Sequence, residues 1–179
     1  MTEAGSVYGL ALYDLAKSEQ FTEQILEELS VLRKSFAEEP DFLKLLSTPA
    51  ITKQERCQIL DHSFRDKLHP YLLNFLKLLT EKGYIRHFFH CCDAYRDQYN
   101  RDHGIVPVTA VTAVAMTEDQ KKRLREKLEA LTGKTVDLYS RIDPSCLGGV
   151  RLDYDGKRVD DTVAHRLDAL RTLLKNTVL

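Results

Sequence analysis

Within the six residues from His87 to Cys92 lie two histidines and two cysteines, side chains well suited to holding a zinc ion. Residues three and four apart share a helix face, so His87 can point with His90 or Cys91. Cys92 falls on the opposite, apolar stripe with Phe88 and Tyr95, and no distant Cys or His pair completes four ligands. The pattern is that of packing and surface histidines, and no metal or cofactor is expected. Asp160-Asp161 offers adjacent carboxylates for a cation or an acid/base pair, but a helix cap and a cross-strand partner account for both. Serines are few and none sits in a Gly-x-Ser-x-Gly elbow. Gly148-Gly149 precedes a strand, whereas a phosphate-cradling loop needs its glycines between a strand and a helix. The pair is expected to allow a bulge or close packing. No catalytic residue is expected.

The elements that would carry these residues fall into two groups. From Val7 to about Arg101 every period is helical. Tyr8, Ala11, Leu12 and Leu15 make the face of a first helix, and Phe21, Ile25, Leu29, Leu32 and Phe36 that of a second. Pro40-Asp41 interrupts, and Phe42, Leu43, Leu45 and Leu46 suggest a short third helix ending before Thr48-Pro49. Thr52 with Glu55 is a capping box opening a fourth helix with Ile59, Leu60 and Phe64. A fifth runs from Pro70, a first-turn proline, to Gly83. A sixth carries Ile85, Phe88, Cys92, Tyr95 and Tyr99 and ends by Gly104. The expectation is a six-helix bundle with short loops.

Beyond Gly104 the pattern changes. Ile105 to Val114 is β-branched and apolar, with Pro107 near its start. Thr117 and Gln120 form a second capping box, Leu124, Leu128 and Leu131 make a stripe, and Gly133 closes that helix. Val136, Leu138 and Ile142 alternate with Asp137, Tyr139 and Arg141 as a second strand. Asp155-Gly156 is a two-residue hairpin turn, which pairs Tyr154 with Lys157, Asp153 with Arg158, Leu152 with Val159 and Arg151 with Asp160. One apolar pair then lies inside and two opposite-charge pairs outside. Asp161 and Thr162 are helix caps for a final stripe of Val163, Leu167, Leu170 and Leu174. The fold class is α+β: a helical domain over 1–104, then a strand-helix-strand-hairpin-helix domain over 105–179.

With 26 basic and 27 acidic side chains the charges nearly cancel, so no global field drives the chain onto nucleic acid or an acidic membrane. Lys77, Lys82 and Arg86 are too sparse for a recognition helix. The first residues lack the basic leader and apolar core of a signal or transit peptide, and no segment approaches the roughly 18 apolar residues of a membrane span. Cys57, Cys91, Cys92 and Cys146 read as core positions in a reducing cytoplasm. One helix asks for a partner. The fifth has Leu72, Phe75, Leu76 and Leu79 on one side and Tyr71, Leu73 and Leu78 around much of the rest. That suits either a central helix of the bundle or a helix lining an apolar groove for an incoming helix.

The chain resembles, over nearly its whole length, the delta subunit of F-type ATP synthases, the bacterial counterpart of the oligomycin-sensitivity-conferring protein. In the helical half the likeness rests on Tyr8, Ala11, Leu12, Leu15 and Ala16, Leu46 with Pro49, and Asn74-Phe75-Leu76 with Leu79 and Gly83. In the second half it rests on Val111-Thr112-Ala113, Gly133-Lys134, Asp143-Pro144, Leu147-Gly148-Gly149, Asp160, Thr162, Arg166 and Leu167. One departure is Asp161, where the family usually has glycine.

The resemblance implies a non-catalytic stator subunit, one copy per complex, that joins the peripheral stalk to the crown of the catalytic head and resists rotor torque during proton-driven ATP synthesis. The helical domain would receive the N-terminal helix of a head α subunit between its first and fifth helices. That maps onto Tyr8, Ala11, Leu12 and Leu15 with Leu72, Phe75, Leu76 and Leu79, and the sequence leaves open which of these face the groove and which the core. The second domain would hold the C-terminal ends of the stalk b subunits. The setting implied is peripheral, at the cytoplasmic face of the bacterial inner membrane, without insertion into it and without nucleic acid. The alternative is a generic helical adaptor for another amphipathic helix, and a metal-dependent enzyme ranks third.

Overall fold

Thr52 and Glu55 show how directly local sequence sets an element. The Thr52 hydroxyl accepts from the Glu55 N–H, and the Glu55 carboxylate accepts from the Thr52 N–H at 3.0 Å. Two orphan donors are thereby satisfied, and α4 runs over Lys53–Phe64. Thr117 and Gln120 make the same reciprocal pair at the start of α7, Glu118–Thr132. Gly83 and Gly133, both at positive φ, end α5 (Pro70–Lys82) and α7.

The computed structural model describes residues 3–154, 156–165 and 167, without the side chains of residues 3 and 4. It divides into two compact units, Met1–Tyr99 and Asn100–Leu179. The first holds α1 (Glu3–Ser18), α2 (Thr22–Glu38), α3 (Pro40–Ser47), α4, α5, a 3-10 turn (Ile85–His87) and most of α6 (Phe88–Asp102). The second holds β1 (Ile105–Thr112), α7, β2 (Thr135–Ile142), a 3-10 turn (Pro144–Cys146), β3 (Val150–Tyr154) and β4 (Lys157–Asp160). The architecture is α+β, rich in helix with one small sheet.

Every helix of the first unit contributes to one core, among them Tyr13 from α1, Ile25 and Phe36 from α2, Leu46 from α3, Leu60 from α4, Leu76 from α5 and Tyr95 from α6. Phe36 makes edge contacts with Phe64 and Phe88 and lies against Phe42, the favoured geometry for aromatic quadrupoles. Arg56 is buried, yet its guanidinium donates to the Leu46 carbonyl at 2.9 Å and the Thr52 carbonyl at 3.4 Å. It satisfies a carbonyl at the end of α3 that α3 itself leaves free.

The inward face of α1 differs from the expected stripe. Gly5, Gly9, Leu12, Tyr13 and Ala16 are buried, while Ala11 and Leu15 are exposed and Tyr8 is half-buried. Gly9 supplies the reason: a Cβ there would overlap the Cys91 carbonyl oxygen and stand 2.9 Å from the Ala94 Cβ. The α1 backbone lies directly on α6, so small residues take the inward positions. Ile85 also shifts, from the expected sixth helix into the 3-10 turn that precedes it.

In the second unit the strand order is β2-β1-β3-β4, with β1 and β2 parallel across α7 and the other pairs antiparallel. The hairpin register is the one expected, from Tyr154 opposite Lys157 to Arg151 opposite Asp160. Arg158 Nε donates to Asp153 at 2.8 Å, whereas Asp160 turns to Thr162 and accepts from both its N–H and its hydroxyl. Val159 is 50% exposed because β4 is an edge strand, and Leu131, in the last turn of α7, is 83% exposed. Neither joins the apolar interior its spacing suggested.

Gly149 explains the glycine pair. It has φ +79°, and a Cβ on it would overlap the Asp161 carbonyl oxygen and stand 3.0 Å from the Thr162 Cα. The segment leaving β4 crosses directly over it, held by Val163 N–H to the Gly148 carbonyl and Asp161 N–H to the Val150 carbonyl. Thr162 caps the helical residues that follow by accepting from His165 N–H. Leu170 and Leu174 of the expected final stripe lie outside the described residues. Asp161 is not at positive φ; among the described non-glycine residues only Gln20 and Leu147 are.

Candidate partner-binding groove

The His87 to Cys92 cluster resolves into packing. His87 and His90 rings lie 6.2 Å apart edge to face, while Cys91 and Cys92 are both buried. Burial pushes the Cys91 thiol up to about 11 and the Cys92 thiol up to about 12, so neither is a thiolate at neutral pH. Among the described residues no three His, Cys, Asp or Glu side chains converge as a metal ion requires.

The fifth helix divides by face. Leu72, Leu76 and Leu79 are fully buried and Phe75 nearly so. On its α4 side, Lys77 pairs with Asp61 at 2.6 Å. The other flank carries Tyr71, Phe75 and Leu78 at offsets of four and three, and Leu78 is 40% exposed.

Ring contacts locate α1 beside that flank. Tyr8, near the start of α1, meets Tyr84, just beyond the end of α5, with centroids 5.6 Å apart. Phe21, just beyond the end of α1, meets Tyr71 in the first turn of α5 at 6.4 Å. The two helices are therefore antiparallel neighbours. Tyr8, Ala11 and Leu15, at offsets of three and four, form the α1 side of the gap, and Leu15 is 41% exposed. The result is an apolar strip walled by Tyr8, Ala11 and Leu15 opposite Tyr71, Phe75 and Leu78, floored by buried leucines.

Of the eight residues singled out from sequence, the structure brings Tyr8, Ala11 and Leu15 to the surface of this strip and Phe75 to its edge. Leu12, Leu72, Leu76 and Leu79 belong to the core, and so does Phe75 where it borders the strip. Sequence reading assigned no partner role to Leu78 or Tyr71. Their offset from Phe75 was visible, but an apolar helix offers no sequence mark for which flank a neighbour leaves open.

The family profile described as ATP synthase delta (OSCP) subunit matches residues 5–174. The chain belongs to the ATP synthase delta (OSCP) subunit family. The ATP synthase subunit delta of Alkaliphilus oremlandii is 31% identical over 96% of each chain. That of Lacticaseibacillus casei is 32% identical over 93% of this chain and 92% of its own. The fold is shared with a chain of the Toxoplasma gondii mitochondrial ATP synthase hexamer solved by cryo-EM, with a TM-score of 0.78 at 22% identity, covering 97% of this chain and 98% of that one. A delta subunit is a structural part of the stator, not a catalyst. Among the described residues no helix is long and apolar enough to cross a membrane.

Proposed function

We propose that this chain, as a delta subunit, clamps the peripheral stalk to the head of a rotary ATP synthase. Residues 1–104, a six-helix bundle, receive the N-terminal helix of a head α subunit in the strip between α1 and α5. Residues 105–179 hold the C-terminal ends of the stalk b subunits, with one copy per complex at the cytoplasmic face of the bacterial inner membrane. The clamp must oppose rotor torque, which calls for buried apolar anchors and for no nucleophile.

The observation that carries the reading is the pair of exposed leucines, Leu15 and Leu78, facing one gap from antiparallel helices. Apolar residues at three- and four-residue spacing on a partner helix fit such a gap. Covering the exposed part of each leucine contributes about 1 kcal/mol, before the cost of association.

The test is titration of the full chain with a peptide of the α-subunit N-terminus. Leu15→Asp and Leu78→Asp are expected to abolish binding while leaving the helical content intact, since each places an uncompensated charge in the gap. Leu76→Asp is not a usable probe, because Leu76 lies in the core and its loss unfolds the unit. Unchanged affinity in both surface variants rejects the groove. Capture of another amphipathic helix with no affinity for the α peptide favours a generic adaptor.

A further inference from the structure

The strip between α1 and α5 is walled mainly by apolar side chains, with exposed Asn74 between Tyr71 and Leu78, and carries charge at its ends. At the end where Tyr8 meets Tyr84 stand Lys82, in the last turn of α5, and Arg86, in the 3-10 turn that follows. Both are exposed, and neither has a carboxylate partner among the described residues. Lys82 follows Leu78 by four residues and so continues the flank that carries Tyr71, Phe75 and Leu78. The nearest acid in sequence, Glu81, is turned to α4, where it accepts from the Cys57 thiol. Among the described cations of this unit, Lys77 is matched by Asp61, Arg33 and Arg96 by Asp93, and buried Arg56 by the Leu46 and Thr52 carbonyls.

One cation in the last turn is accounted for by the α5 dipole, whose negative end lies there. That explains Lys82 and leaves Arg86 without a role. The opposite end of the strip, at Phe21 and Tyr71, has mixed charge: exposed Glu19 follows α1, Lys17 in the last turn of α1 lies over the Tyr13 ring, and exposed Lys67 precedes α5. The strip thus has two cations without a carboxylate partner at one end and mixed charge at the other.

We infer that the groove selects a helix bearing carboxylates at the end that rests over Tyr8 and Tyr84, with Lys82 and Arg86 as the residues that read them. The inference rests on the groove proposed above and adds the charge pattern and placement of its occupant. The 13 residues of α5 span about 20 Å, so the occupant engages through roughly four turns, with its acidic residues confined to one end turn. Apolar anchors hold the helix, and the charges set which way round and how far along it lies.

The experiment measures affinity of the full chain for an α-subunit N-terminal peptide of about 20 residues, some 30 Å of helix. It is run at about 0.05 M and about 0.5 M salt, where the screening length falls from roughly 14 Å to roughly 4 Å. Lys82→Glu/Arg86→Glu is expected to weaken binding about tenfold at low salt, with the difference from the parent closing at high salt. The same loss is expected for the parent chain when the acidic residues at one end of the peptide become amides. Leu78→Asp loses binding at both salts. If Lys82→Glu/Arg86→Glu binds as the parent does at low salt while Leu78→Asp still fails, the charge reading is wrong and the groove stands. If the parent chain does not bind the peptide at either salt, both are wrong.

Discussion

Replacing Gly149 with alanine sets two separate costs against one small gain, and a neighbouring glycine allows them to be told apart. At φ +79° an alanine sits in the left-handed region, at about 1 to 2 kcal/mol. Its Cβ also meets backbone atoms of Asp161 and Thr162, which no rotamer change can move aside, and such overpacking costs about 1 to 3 kcal/mol. The stiffer unfolded chain returns about 0.4 to 1 kcal/mol. The net loss is about 1 to 5 kcal/mol for the sheet unit. Gly156 has φ +71° but nothing within 4 Å of the added carbon, so Gly156→Ala carries only the first cost and loses about 1 kcal/mol. Because the chain has two units, global unfolding need not be two-state, and amide hydrogen exchange in β3 and β4 is the suitable assay. Protection there is expected to fall at least fivefold further in Gly149→Ala than in Gly156→Ala, a gap of about 1 kcal/mol or more. Equal loss in the two variants refutes the close crossing of the 161–163 segment over Gly149.

Arg56→Met removes the donor to the Leu46 and Thr52 carbonyls and is expected to cost about 1.5 to 3 kcal/mol, seen as a lower denaturant midpoint by far-UV circular dichroism. Acid is expected to weaken the sheet unit. Hydrogen bonds from Arg158 to Asp153, from Ser145 to Asp143 and from Thr162 to Asp160 hold these carboxyls below their ordinary value of 3.8. Groups depressed by folding stabilise fully above that value, and their contribution is lost as pH falls through the lower folded value. Exchange protection in β3 and β4 should therefore hold steady from neutral pH to about 5 and decline below 3.8, less steeply in Asp153→Asn. A thiol reagent at neutral pH is expected to modify half-buried Cys57 first, with Cys91, Cys92 and Cys146 reacting only on unfolding, as mass spectrometry of the adducts will show.

Where one residue type at one spacing has one physical use, the sequence was readable. Thr52 with Glu55 and Thr117 with Gln120 specify helix starts, Gly83 and Gly133 specify stops, and Asp155-Gly156 sets a register in which a slip of one residue would turn every side chain over. The face of α1 was not readable in the same way. Tyr8, Ala11, Leu12 and Leu15 form a regular apolar stripe, but the helix turns instead to bury Gly5 and Gly9, because contact with the α6 backbone at Cys91 rewards the absence of a side chain. The same ambiguity affected α5, where apolar residues surround the helix and only the positions of α1 and α4 decide that Leu76 is core and Leu78 is surface. Periodicity reports what is apolar, and tertiary neighbours decide what is covered.

The role of the α1–α5 strip depends on what lies against Leu78 in the assembled enzyme. A photoreactive phenylalanine at position 78, activated in the intact ATP synthase, is expected to form its adduct with the N-terminal segment of one α subunit. An adduct with a stalk chain in its place, or a full yield of uncrosslinked chain under conditions where a control at another contact reacts, contradicts the assignment of the α1–α5 strip to the head.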